Sequence, residues 1–103
     1  MSKLQLTKVQ LQTVLQILDQ FVPKQHCWVF GSRIKGTADK YSDLDLAVDC
    51  GETLSIRQLA QLNNAFDESD LPFTVDLVDW HRIYDDFRQH IAYYAVDIRA
   101  ALL

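Results

Sequence analysis

Asp43-Leu44-Asp45 places two carboxylates at i and i+2 within a run of alternating apolar residues. On a strand such residues project from one face. Like charges held that close repel, and a divalent cation between them is the usual remedy. Upstream, Gly31-Ser32 closes the apolar run Cys27-Trp28-Val29-Phe30. Glycine lets a backbone approach closely, and N–H groups exposed at a helix start bind phosphate. Of the three glycines in the chain, Gly31 and Gly36 both fall in this one connection. A phosphate holder beside a metal site points to phosphoryl or nucleotidyl transfer.

Val75-Asp76-Leu77-Val78 offers a third carboxylate among apolar neighbours. Buried carboxylates are rare unless paired or metal-bound. If this strand lies beside the one carrying Asp43 and Asp45, all three share a face. Their three negative charges suffice for two Mg2+ ions and leave net positive charge for a triphosphate. The competing reading of Asp76 is a buried carboxylate paired with Arg33 or Lys35. Asp79 sits at an odd offset and faces the other way. Arg33 can pair with phosphate oxygens through its fork of donors or serve structure, and the sequence leaves both open. Ser32 as a simple helix cap is compatible with phosphate binding.

The elements that position these residues follow from periodicity and capping. Thr7 and Gln10 form a capping box ahead of Val9, Val14, Leu15, Ile17, Leu18 and Phe21, which predicts a helix over about 8–21, stopped by Pro23. His26–Phe30 reads as a strand, and 31–42 as a polar connection with room for one helical turn. Asp43–Val48 is a strand with Leu44, Leu46 and Val48 on one face. Ser55 and Gln58 cap a helix over about 56–68, with Ile56, Leu59, Leu62 and Phe66 on its apolar face. Pro72 introduces a strand over Phe73–Val78. A last helix is predicted over about 81–102 from the stripe Ile83, Phe87, Ile91, Tyr94, Ile98 and Leu102. Trp28, Phe73 and Trp80 read as core, and Tyr93, Ala95 and Leu103 leave room for a partner or self-association surface. The expected fold is α/β (α+β), a small β-sheet covered by helices. For Gly31-Ser32 and Asp43 to meet, the first two strands must run antiparallel, so the sheet is mixed.

Bulk properties bound the function. At 103 residues one domain spanning 1–103 is expected. A formal net charge of −4 argues against nucleic-acid binding, which needs a basic face. No apolar stretch approaches a membrane span and no apolar signal core is visible, so the expected location is cytoplasmic. Cys27 and Cys50 read as free thiols, consistent with a reducing compartment. His26, His81 and His90 show no metal spacing with them.

Gly31-Ser32-Arg33-Ile34-Lys35-Gly36, Tyr41-Ser42-Asp43-Leu44-Asp45-Leu46 and Val75-Asp76-Leu77 together resemble the signature of the DNA polymerase beta-like nucleotidyltransferase superfamily. Within it the chain resembles the minimal nucleotidyltransferases, small proteins related to kanamycin nucleotidyltransferase, some of them antitoxins of toxin–antitoxin pairs. The resemblance implies a polymerase beta palm-like fold and metal-dependent transfer of NMP, with AMP expected, from an NTP to a hydroxyl. Asp43, Asp45 and Asp76 would be catalytic and hold two Mg2+ ions, with Mn2+ as a substitute. Gly31, Ser32 and Arg33 would bind the triphosphate of ATP or another NTP. It also implies a small helical toxin-like protein partner whose tyrosine is the acceptor, in a homo- or hetero-oligomer. Nucleotidylation of a small molecule such as an aminoglycoside, and an antitoxin acting by binding alone, are the alternatives.

Overall fold

The structure is a computed structural model that describes residues 4–22 and 25–100. The expected stop at Pro23, and the positions Leu102 and Leu103, lie outside the described residues. Helix α1, Lys8–Phe21, starts where Thr7 Oγ1 accepts from the Gln10 N–H while the Gln10 side chain accepts from the Thr7 N–H. Strand β1, His26–Phe30, leads through the short helix α2, Ser32–Lys35, to strand β2, Leu44–Asp49. Helix α3, Ile56–Asp67, repeats the capping box with Ser55 and Gln58. Strand β3, Val75–Asp79, a 3-10 turn at Trp80–Arg82, helix α4, Asp85–Tyr94, and strand β4, Val96–Asp97, complete the order.

The four strands form one mixed sheet in the order β3-β2-β1-β4. β1 runs antiparallel to β2, as the meeting of Gly31-Ser32 with Asp43 requires, and β3 runs parallel to β2 after the α3 crossover. Alternation then decides the faces. Cys27, Val29, Leu44, Leu46, Val48 and Val75 are buried against Leu11, Val14, Leu15, Leu18, Leu62 and Phe66 of α1 and α3. The opposite face carries Trp28, Phe30, Asp45, Ala47 and Asp76, and α4 covers part of it. There Phe30 meets Phe87 with ring centroids 6.0 Å apart, and Trp28 meets Trp80 at 5.1 Å. Leu46 is fully buried in the central strand. Leu46→Ala should therefore lower the free energy of unfolding by about 2–5 kcal/mol, read from the urea midpoint.

The C-terminal region departs from the expected continuous helix. Asp79 caps the 3-10 turn by accepting from the His81 N–H, and α4 begins only at Asp85. It ends at Tyr94, because Ala95 turns extended at φ −70°, ψ 150°. Val96 and Asp97 then pair antiparallel with Val29 and Trp28, and the Ile98 N–H donates to the Cys27 carbonyl at 3.1 Å. The open edge of β1 needs hydrogen-bond partners, and β-branched Val96 and Ile98 suit an extended chain. Ile98 is fully buried, so its place in an apolar stripe was real, but the period was not helical. Val9 and Ile56 also depart from their expected core faces: both lie in first helical turns and are largely exposed. Among the described residues no helix is long and apolar enough to cross a membrane.

Candidate active site

Three sequence segments converge at one end of the sheet. β1 ends at Phe30, directly opposite Asp45 on β2. Asp45 in turn lies beside Asp76 on β3. Asp43 immediately precedes β2 and sits two positions from Asp45, hence on the same side. Asp45 is half-buried at the centre, while Asp43 and Asp76 are exposed. The Asp45 carboxyl is pushed above its ordinary range by burial first, then by the charges of Asp76 and Asp43.

Gly31 makes the turn from β1 into α2 at φ 77°, ψ −152°, a region that only glycine occupies readily. Its carbonyl accepts from the Ile34 and Lys35 N–H groups, each at 3.1 Å. The Asp45 carboxylate lies against this turn: a Cβ on Gly31 would overlap Oδ2 and stand 3.1 Å from Cγ. Ser32, half-buried, opens α2, and its carbonyl accepts from Gly36 and Thr37. Gly31, Ser32, Asp43, Asp45 and Asp76 are thus brought to one end of the sheet.

Of the two roles the sequence leaves open for Arg33, its contacts are those of a structural residue. It is buried, with its guanidinium spent on backbone carbonyls: Nε and Nη2 donate to Ser42 at 3.1 and 2.8 Å, Nη2 to Lys40 at 3.3 Å, and Nη1 to Gln5 at 2.7 Å. Its Cζ lies 4.1 Å from the centroid of the Phe73 ring. The partners Gln5, Ser42 and Phe73 carried no signal of this role, except that Ser42 adjoins Asp43. The alternative pairing of Asp76 with Arg33 or Lys35 fails: Asp76 is exposed, and among the described residues no ion pair involves it. The buried carboxylate of β3 is Asp79 on the opposite face. It accepts from the Leu54 N–H at 2.8 Å and pairs with Arg82 at 3.3 Å. His81 bonds Asp49 at 2.6 Å, which gives that histidine a structural partner. Cys27 and Cys50 are free thiols, and burial pushes the Cys27 thiol up so that it stays protonated.

An all-oxygen donor set of mutually repelling carboxylates suits Mg2+ better than softer metals. Among the described residues no three His, Cys, Asp or Glu side chains form a ready metal cage. That still fits Mg2+, which keeps several waters and takes one or two carboxylates together with substrate phosphate oxygens.

A small mixed sheet whose first turn and central carboxylates meet at one end is the architecture of a nucleotidyltransferase. The chain belongs to the polymerase beta nucleotidyltransferase family, described as "Polymerase beta, Nucleotidyltransferase", whose model matches residues 12–98. It is 48% identical over 90 residues to a "Probable protein adenylyltransferase MntA" of Haemophilus influenzae, a match that covers 87% of this chain and 79% of that protein. Among solved structures it resembles a toxin–antitoxin crystallised with AMP-PNP, with 27% identity, a TM-score of 0.74, and coverage of 85% of this chain and 71% of that one. It also resembles a mutant form of the toxin–antitoxin MntA-HpeT, with 28% identity, a TM-score of 0.71, and coverage of 90% and 72%.

Proposed function

We propose that this chain transfers AMP from ATP to a tyrosine hydroxyl of a partner protein and so acts as the antitoxin of a toxin–antitoxin pair. The observation that carries this reading is the register that sets Asp45 opposite Phe30 and beside Asp76, with the Gly31 turn against its carboxylate. The likeness to a protein adenylyltransferase and to toxin–antitoxin assemblies supports an adenylyl donor and a protein acceptor, and tyrosine is the finer part of the proposal.

In this reading the acceptor oxygen bonds to the α-phosphorus, the bond from that phosphorus to the β-phosphate oxygen breaks, and pyrophosphate leaves. Asp76, exposed at the open end, receives or relays the hydroxyl proton. Gly31 and Ser32 hold the triphosphate through backbone N–H groups and the Ser32 hydroxyl. Asp43, Asp45 and Asp76 would hold Mg2+, which when bound neutralises triphosphate and pyrophosphate charge. In this reading a partner protein brings the hydroxyl, in line with the toxin–antitoxin assemblies that the chain resembles. A reducing cytoplasm would keep Cys27 and Cys50 as thiols.

The test is to co-purify the native partner and measure its mass before and after incubation with ATP and Mg2+. The expected result is an added AMP on a tyrosine with the wild-type chain and none with Asp43→Asn. Pyrophosphate release with small acceptors and no partner would point instead to small-molecule nucleotidylation. Growth rescue by Asp43→Asn/Asp45→Asn would point to neutralisation by binding alone.

A further inference from the structure

The loop that delivers Asp43 is tied to the helix that follows the Gly31 turn by one buried cation. Within the loop, Asp39 and Ser42 bond each other: the Asp39 N–H donates to Ser42 Oγ at 2.9 Å, and the Tyr41 N–H donates to Asp39 Oδ1 at 2.9 Å. That local turn fixes its own shape but not its position on the molecule. Arg33 supplies the position. It grips the Ser42 carbonyl with two donors and reaches Lys40 with a third contact. Ser42 is bonded directly to Asp43, and Arg33 belongs to α2, which Gly31 opens. The ring under the guanidinium, Phe73, lies three residues before Asp76 on the lead into β3. The Leu44 N–H donates to Thr74 at 2.9 Å, which joins the same lead-in to the start of β2. The N-terminal segment closes the assembly from outside, since the Gln5 N–H donates to the Arg33 carbonyl at 2.9 Å.

We infer that Arg33 is a positioning residue that sets Asp43 and the start of β2 against the Gly31-Ser32 turn, with Phe73 carrying the same constraint to Asp76. Among the described residues no carboxylate lies within ion-pair distance of Arg33, so its charge is held by carbonyl dipoles, an aromatic face and the more distant charge of Asp39. Such a cation is costly to bury and persists where its geometry is needed. The planar fork matters more than the charge. A lysine could reach one carbonyl but could neither bridge Ser42, Lys40 and Gln5 nor stack on Phe73. This inference rests on the reading of Asp43, Asp45 and Asp76 as metal ligands.

The experiment compares wild type, Arg33→Lys and Phe73→Leu in the full chain with its partner. Mn2+ binding is read by electron paramagnetic resonance without nucleotide, amide exchange by mass spectrometry, and kcat and KM for ATP in the transfer assay. For Arg33→Lys the expected result is Mn2+ binding and kcat each weakened about 10–100-fold, with KM for ATP little changed. Amide exchange should accelerate across 40–45 and stay unchanged in α1. Phe73→Leu should move the same readouts in the same direction by about three- to tenfold, and keeps the question open to test if Arg33→Lys does not fold. Unchanged Mn2+ affinity alongside faster loop exchange would overturn the inference, because the tie would then be only structural. So would a raised KM for ATP at constant kcat, the signature of a phosphate ligand. If wild type transfers nothing while Mn2+ binding still depends on Arg33, the proposed function fails and the positioning role stands.

Discussion

Asparagine in place of Asp45 should give a protein that is more stable without metal yet has lost transfer. The carboxyl at this position is pushed up by burial and by the charges of Asp76 and Asp43. Its folded pKa therefore lies above its unfolded one. Between the two values the native state holds more protons than the unfolded chain, so stability falls as pH rises through that window and the full cost is present above the folded pKa. Asparagine has nearly the same shape and no charge, and removes that cost. Partial exposure of the carboxylate limits the gain to about 1 kcal/mol. For a chain of this size that corresponds to a rise in melting temperature of at most about 4–8 °C at neutral pH. The gain should shrink as pH falls into the carboxylate range, where Asp45 itself becomes neutral. Transfer from labelled ATP should drop by about 10²–10³-fold or more, as expected when a preorganised charge at the reacting centre is removed. Mg2+ should raise the melting temperature of wild type and leave Asp45→Asn nearly unmoved, because only a ligand that binds the native state stabilises it. A metal-free Asp45→Asn that melts below wild type at neutral pH would show that the carboxylates are not under mutual strain.

The same residues show where the sequence is informative and where it is not. Helices α1 and α3 are legible because their starts are written locally, in Thr7 with Gln10 and Ser55 with Gln58. β2 is legible because Leu44, Leu46 and Val48 alternate with Asp45 and Ala47, and the antiparallel pairing follows once Gly31-Ser32 and Asp43 are asked to meet at one edge. β4 is not legible, since Ile91, Tyr94 and Ile98 satisfy helical spacing while the deciding force is the unfilled hydrogen-bonding edge of β1, a demand from far along the chain. The meeting of Gly31 and Asp45 could be anticipated as a demand on chain direction, whereas the place of Asp76 rests on the condition that β3 lie beside β2, which the structure meets. The engagement of Arg33 could not be anticipated, because Gln5 and Phe73 approach it only in three dimensions. Asp76 misled in another way. Its apolar neighbours suggested burial, but Val75 faces the helices while Asp76 stands on the other face at the open end of the sheet.

Two glycines with nearly the same φ should respond very differently to alanine. Gly31 stands at φ 77° and Gly36 at φ 79°, so a side chain costs backbone strain at both. Gly36, at ψ 15°, lies in the left-handed helical region, where an L-residue costs about 1–2 kcal/mol. Nothing lies within 4 Å of the Cβ that Gly36→Ala would add, so the loss should be confined to stability. Gly31, at ψ −152°, lies in a region essentially closed to L-residues, at a cost of about 1–3 kcal/mol. There the new methyl would also occupy the space of the Asp45 carboxylate. Asp45 is held in the central strand by pairing on both sides, so its backbone cannot retreat. Either the side chain rotates away from Asp76 or the turn that opens α2 shifts, and each separates carboxylate from phosphate holder. A displacement of about 1 Å at a reacting centre costs about 10²-fold in rate. Gly31→Ala should therefore lose transfer by at least about that factor, while Gly36→Ala keeps transfer within a few-fold at a comparable melting temperature. Steady-state rates and thermal melts of the two variants side by side separate the contributions. Equal loss of activity in both would mean that backbone strain alone, and not crowding against Asp45, explains why glycine stands at position 31.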